Sequence, residues 1–202
     1  MYKQALNHFK KTEHTLYCAG LTYDIADIHR SRDVFVALVR AIINQQLSGK
    51  AADTIYARLE GLLRGRKLSP AALLNLKAPA LRKVGLSAAK VKSLRGLATA
   101  VEEGQINLKT LHQLSDDEVM EKLTALHGIG PWTAEMILMF SLGRLDTFSR
   151  GDLGLRKGIM YLYGLKKLPS DRQMAKLERL WAPYRSYAAR ILWRVADERK
   201  GK

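Results

Sequence analysis

Apolar residues along this chain recur at helical spacing. In VFVALVRAIINQQL, Val36, Val39, Ala41, Ile42 and Ile43 mark a buried helix, and Asp33 stands at its N-cap position. A helix over Ala51–Leu63 follows and runs into the basic turn Arg64-Gly65-Arg66-Lys67. Ser69-Pro70 opens a short helix in the cap-then-proline pattern, and Pro79 opens the next, with Gly85 closing it. Ser87 precedes the helical pattern AAKVKSLRGLATAVEEG. Ser115-Asp-Asp-Glu118 has the spacing of a capping box ahead of VMEKLTAL. Pro131 begins WTAEMILMFSLG, Ser170-Asp171 opens a helix through Trp181, and Pro183 opens YRSYAARILWRVADERK. No run alternates as a strand would. The expected architecture is all-α, with the N- and C-terminal segments packed together as one lobe. Two turns, at Gly85 and at Gly128/Gly130, each join two helices, and the second is the better formed.

That second turn is Leu126-His-Gly-Ile-Gly-Pro-Trp-Thr-Ala134. Gly128 and Gly130 open the turn to conformations closed to residues with side chains. They also leave backbone N–H groups uncovered beside a helix N-terminus. Such an arrangement binds a phosphate oxygen without a charged side chain. The bland alternative is a tight turn with no ligand.

Charge changes the picture. The 202 residues hold 34 Lys and Arg against 19 Asp and Glu, a net +15, spread along the chain. That excess points to a polyanionic partner, most simply nucleic acid, with a solubility surface as the alternative. Hydrophobic residues make up 47% of the chain, enough for a real core in one domain or two small lobes. The single cysteine, Cys18, excludes an internal disulfide and a Cys-ligated iron–sulfur cluster, and reads as a small apolar filler. The first residues, MYKQALNHFKKTEH, have no signal-peptide pattern, and no stretch is apolar enough for a membrane span. The five histidines are scattered, and no cluster has metal-ligand spacing.

Twenty-two residues beyond Gly130 lies Asp152, in TFSRGDLGLRK. It follows a loop and precedes an amphipathic stretch, so an N-cap is its structural reading. Beside a phosphate-gripping hairpin the same acid would be held ionised at a DNA surface.

The hairpin, its spacing to Asp152, the early Arg40-Ala-Ile-Ile-Asn-Gln-Gln-Leu-Ser48 and the late Ala182-Pro-Tyr-Arg-Ser-Tyr-Ala-Ala-Arg-Ile-Leu-Trp193 fall in one order. Together they resemble the helix-hairpin-helix DNA glycosylase superfamily, and within it the AlkA-type DNA-3-methyladenine glycosylase II group. The likeness runs from about Phe35 to Trp193. It implies two helical lobes with the active-site cleft between them, in a single domain over 1–202. The hairpin would occupy about 117–142, one lobe would combine the N-terminal segment with about 145–202, and there would be no extra N-terminal β domain.

The resemblance also implies roles. Asp152 falls at the family's catalytic Asp and would assist hydrolysis of the N-glycosidic bond of a flipped-out nucleotide. Trp132 stands where backbone-cutting relatives carry a Schiff-base lysine, so a monofunctional enzyme without lyase activity is expected. Trp132 and Trp193 match aromatic positions of the base pocket, and Met136, where an aromatic residue is expected, widens the range of damaged purines. Each Trp could equally be a core aromatic. Gly128, Gly130 and Thr133 would contact DNA. Gln45, Gln46 and Leu47 fall in the wedge region, with Gln46 and Leu47 as candidates to fill the gap left by the flipped base and a buried helix end as the alternative. The carbonyls of Thr124, Leu126 and Ile129 would hold a structural Na+ or K+. No cofactor is expected for catalysis.

The expected function is excision of alkylated purines of the 3-methyladenine and 7-methylguanine type from double-stranded DNA. The expected enzyme is an intracellular monomer that hands its product to an abasic-site endonuclease. Its place would be the cytoplasm or nucleoid of a prokaryote or the nucleus of a eukaryote. The rivals are a non-catalytic lesion-binding module, a glycosylase for another base such as ethenoadenine or hypoxanthine, and a helical protein-interaction domain. The last leaves both the charge and the Gly-Ile-Gly turn unexplained. An acid near the phosphates argues against the binding module, because it opposes the field that attracts DNA.

Overall fold

The computed structural model describes residues 1–31, 33–47 and 49–200. Among these the chain is helical throughout, with no strand. It forms two compact units: Met1–Arg30 together with Gly143–Lys202, and Ser31–Leu142.

The chain enters through α1 (Tyr2–Thr12) and α2 (His14–Leu21). Glu13 caps α2 by accepting the Leu16 N–H at 2.6 Å. α1 buries only Ala5 and Phe9, one turn apart, and α2 buries Leu16 and Gly20. In α1, Tyr2, Ala5, Leu6 and Phe9 stand at i, i+3, i+4 and i+7, the spacing of a one-sided apolar stripe. Cys18 on α2 is exposed, with its sulfur 3.4 Å from His14 Nε2, so it is not the apolar filler its residue type suggested. The buried face of α2 is taken by Leu16 and Gly20 instead.

The second unit runs from α3 to α9. α3 (Val34–Asn44) is the central apolar helix, burying Val34, Phe35, Leu38, Val39, Ile42 and Ile43. Each such side chain contributes about 1.5–3 kcal/mol when fully removed from water. Asp33 caps it, Oδ1 accepting the Val36 N–H at 3.1 Å. α4 (Gly49–Leu62), α5 (Pro70–Leu74), α6 (Ala78–Lys83) and α7 (Ala88–Glu102) follow, then a 3-10 turn at Leu111–Gln113, α8 (Asp116–Thr124) and α9 (Pro131–Phe140). Around α3 they bury Leu59, Leu94, Leu97, Leu123, Ala134 and Ile137 among others in one core. Ser69, Ser87 and Ser115 all cap their helices through the side chain, and Ser115 with Glu118 forms the capping box.

The chain then completes the first unit with α10 (Leu153–Leu162), α11 (Asp171–Trp181) and α12 (Arg185–Lys200). Ser170 caps α11. The last helix begins at Arg185, two residues beyond the proline expected to open it. Pro183 and Tyr184 are spent on the turn, where the Tyr184 N–H donates to the Trp181 carbonyl at 2.8 Å. The link from Gly143 to α10 is fastened to the start of α12. Arg185 grips Asp146 through Nε and Nη2 at 2.7 and 2.8 Å, and Ser186 Oγ accepts the Thr147 N–H at 3.0 Å.

Candidate functional site

The hairpin joins α8 to α9. Gly128 has φ +85, the left-handed region that favours glycine, and a β-carbon there would fall onto the Ser93 hydroxyl of α7. Ile129 is buried and pins the turn to the core, while its N–H donates to the Leu126 carbonyl at 3.1 Å. Gly130 differs from expectation. Its φ of −91 and ψ of 173 are ordinary extended backbone, so no unusual conformation demands glycine there. What glycine provides is bareness. It is the N-cap of α9, no side chain caps that helix, and a β-carbon would meet open space. Pro131 occupies the first helical position.

The segment after α3 splits into an inward and an outward part. Gln45 turns in: its Nε2 donates to the Gly128 carbonyl at 3.0 Å and to Thr133 Oγ1 at 3.2 Å. Thr133 is itself buried. Gln46 turns out, with φ +57, a conformation uncommon for a residue with a side chain. Leu47 is 38% exposed, a large apolar side chain displayed to solvent. Lys90 of α7 holds the root of this segment, its ammonium donating to the carbonyls of Ile43 at 2.7 Å and Gln45 at 2.8 Å. Burial holds the Lys90 pKa below the ordinary lysine value. Sequence reasoning missed Lys90, because nothing local marks a lysine whose partners lie 45 and 47 residues away.

Trp132 and Met136 sit one turn apart on α9. Trp132 is 38% exposed and Met136 is half-buried, so the indole is not a core aromatic. The carbonyls of Thr124, Leu126 and Ile129 lie at the end of α8 and in the turn. Among the described residues no group of three or more His, Cys, Asp or Glu could hold a metal ion.

Asp152 is the N-cap of α10, Oδ1 accepting the Leu155 N–H at 2.8 Å. The same oxygen accepts the indole N–H of Trp193, from α12, at 3.0 Å. The capping role and a candidate catalytic role thus meet in one carboxylate. Gly154 lies between the two side chains: a β-carbon there would stand 3.0 Å from Asp152 Oδ1 and 3.0 Å from the Trp193 ring. Sequence reasoning had no use for Gly154, although a glycine in the first turn of a helix, where it lowers stability, is a signal of close approach.

The chain belongs to the HhH-GPD superfamily of base excision DNA repair proteins, whose family model matches residues 39–183. The match takes in the segment after α3, the hairpin and Asp152. Among curated relatives, DNA-3-methyladenine glycosylase 1 of Schizosaccharomyces pombe is 36% identical over 167 residues, covering 82% of this chain and 73% of that protein. Among solved structures, the DNA-3-methyladenine glycosidase of Bacillus halodurans superposes with a TM-score of 0.86 at 35% identity, covering 98% of this chain and 91% of that one. An S. pombe 3-methyladenine DNA glycosylase in complex with abasic DNA gives a TM-score of 0.84 at 32% identity, covering 95% of each chain. The all-helical glycosylase fold expected from the sequence is therefore the fold of this protein.

Proposed function

We propose that this protein is a monofunctional DNA glycosylase that flips alkylated purines out of double-stranded DNA and hydrolyses their N-glycosidic bond. The observation that carries the reading is the carboxylate of Asp152, held by two N–H donors at the start of α10 in a chain of this family.

The chemistry follows from the leaving group. Purines methylated at N3 or N7 carry positive charge, so the bond from base to C1′ is already weakened. It breaks with both electrons going to the base, and the sugar becomes oxocarbenium-like. A fixed carboxylate beside the sugar stabilises the positive charge that develops there more than it stabilises the uncharged sugar of the ground state. Water then bonds to C1′ and loses a proton, leaving an abasic site. Trp132 supports the absence of a lyase step, since an indole cannot form a Schiff base. The exposed indole also offers a π face to a cationic ring, worth about 0.5–2 kcal/mol, and the flexible Met136 beside it suits a range of damaged purines.

The backbone at Gly128 and Gly130 would grip a phosphate at the uncapped end of α9. Gln46 and Leu47, the outward part of the segment after α3, would fill the gap in the base stack. The carbonyls of Thr124, Leu126 and Ile129 are hard, uncharged oxygens, a donor set that suits Na+ or K+. The Leu126 carbonyl keeps one lone pair beyond the bond from Ile129. Such an ion would supply positive charge toward a phosphate and take no part in bond breaking. The product passes to a separate abasic-site endonuclease, and the enzyme works as a monomer wherever the cell keeps its DNA. Among the described residues no helix is long and apolar enough to cross a membrane.

The test is base release from methylated duplex DNA by wild type and Asp152→Asn side by side. The expected outcome is free methylpurine from wild type only, strand breaks only after alkali, and DNA binding by the variant equal or tighter. Undiminished excision by the variant would remove Asp152 from the mechanism. Tight binding with no base released by wild type would favour the non-catalytic lesion-binding module.

A further inference from the structure

We propose that Trp193 is the positioning residue for Asp152, acting through its indole N–H, and that Gly154 exists to let it do so. This rests on the reading of Asp152 as the catalytic acid.

An N-cap aspartate commonly accepts one N–H from its own helix, as Asp152 does from Leu155. That bond alone leaves the carboxylate free to rotate about it. The second donor comes from outside the helix, 41 residues along the chain. Two donors converging on Oδ1 fix the plane of the group and carry Oδ2 into one direction. Preorganisation of this kind is what makes a charged group effective against a developing cation, because nothing has to reorient during reaction. Indole suits the task. It donates a single hydrogen bond, has no acceptor to misdirect and does not titrate at working pH.

The approach of the two elements depends on missing side chains. A β-carbon on Gly154 would lie 3.0 Å from Asp152 Oδ1, 3.0 Å from Trp193 Cδ1 and 3.2 Å from Nε1. One turn later, a β-carbon on Gly158 would fall onto the Leu192 carbonyl of α12. Both glycines lie inside α10, where glycine is otherwise a poor choice. They occupy the face against which α12 packs, and the first of them faces the Asp152–Trp193 bond itself.

A positioning role and a base-stacking role make different predictions. Stacking acts on the base, so its loss falls hardest on a cationic base. Positioning acts on the acid, so its loss slows every base alike. The experiment is single-turnover excision by the full chain at saturating enzyme. Its substrates are duplexes carrying 7-methylguanine, which is cationic, or hypoxanthine, which is neutral. Trp193→Phe keeps an aromatic face and removes the N–H. We expect about a tenfold slower step on both bases, the scale of one hydrogen bond to a charged group, with affinity for a duplex holding a stable abasic analogue unchanged within about twofold. Gly154→Ala leaves both residues in the sequence but presses on their hydrogen bond, and should slow both bases similarly. It also serves as the second reading should Trp193→Phe fail to fold. Unchanged rates in both single variants, or a loss confined to 7-methylguanine, would each overturn the assignment. Undiminished excision by Asp152→Asn alone would instead bring down the reading on which it rests.

Discussion

Two turns in the Ser31–Leu142 unit are built alike and end differently. Each follows a short helix, α6 or α8. Each places a glycine in the left-handed region, Gly85 at φ +108 and Gly128 at φ +85. Each then buries one apolar residue, Leu86 or Ile129, before a new helix starts. At the first turn the start of the helix and the turn carbonyl are both closed from within. Ser87 caps α7 by accepting the Lys90 N–H at 3.2 Å, and Arg82 donates from Nη1 to the Leu86 carbonyl at 2.7 Å. At the second turn Gly130 replaces the capping serine and provides no side-chain cap for α9. The Ile129 carbonyl, in the place of Leu86, belongs to the set proposed for a monovalent cation, where the first turn uses the guanidinium of Arg82. On the proposed reading, the bare cap of α9, set in the Gly128–Gly130 turn, is what opens that helix end to a phosphate.

The comparison can be broken most severely at Gly128. Gly128→Ala puts a side chain at positive φ and onto Ser93, which should cost on the order of 2–3 kcal/mol. A thermal scan should show the midpoint falling by about 5 °C or more, and DNA affinity should fall with it. Gly130→Asp is a sharper test because its two effects have opposite sign. The carboxylate should cap α9 and stabilise the fold by about 1 kcal/mol. It should also repel a phosphate at that helix end and weaken DNA binding about tenfold at low salt, read by fluorescence anisotropy. A variant that is more stable and binds DNA as well as wild type would sink the phosphate site. The smallest effect is expected at Ser87→Gly, which copies the bare cap into the first turn. Stability should drop by only a few tenths of a kcal/mol and DNA affinity should not change. A gain in affinity there would mean that a bare helix end alone makes a site in this fold.

The segment after α3 shows how far a motif read from sequence reaches. Gln45, Gln46 and Leu47 are three consecutive candidates for contact with DNA. The structure sends Gln45 into the hairpin, onto Gly128 and Thr133, and sends Gln46 and Leu47 outward. Neither periodicity nor residue type separates neighbours of this kind, because the partners that sort them lie 83 and 88 residues away. Thr133 was legible as a hairpin residue but not as the buried acceptor of that bond. Gly130 was legible as a turn glycine, yet its backbone is ordinary and only its lack of a side chain sets it apart.

Helix starts were readable because the interactions that make them are short in sequence. Asp33, Ser69, Ser87, Ser115, Asp152 and Ser170 each bond a backbone N–H three residues on, a spacing visible in the chain itself. Net charge and the Gly-Ile-Gly turn were readable for the same reason, since each is a property of composition or of a few adjacent residues. The first helix lacked a start signal, since Met1 provides no side-chain cap, although Tyr2, Ala5, Leu6 and Phe9 recur at helical spacing. What folding alone settled is which distant groups share an atom: the indole of Trp193 with the carboxylate of Asp152, the ammonium of Lys90 with two carbonyls of α3 and its cap. Such contacts depend on how closely helices can approach, and that distance is set by packing around residues such as Gly154 and Gly158, over separations that no local pattern encodes.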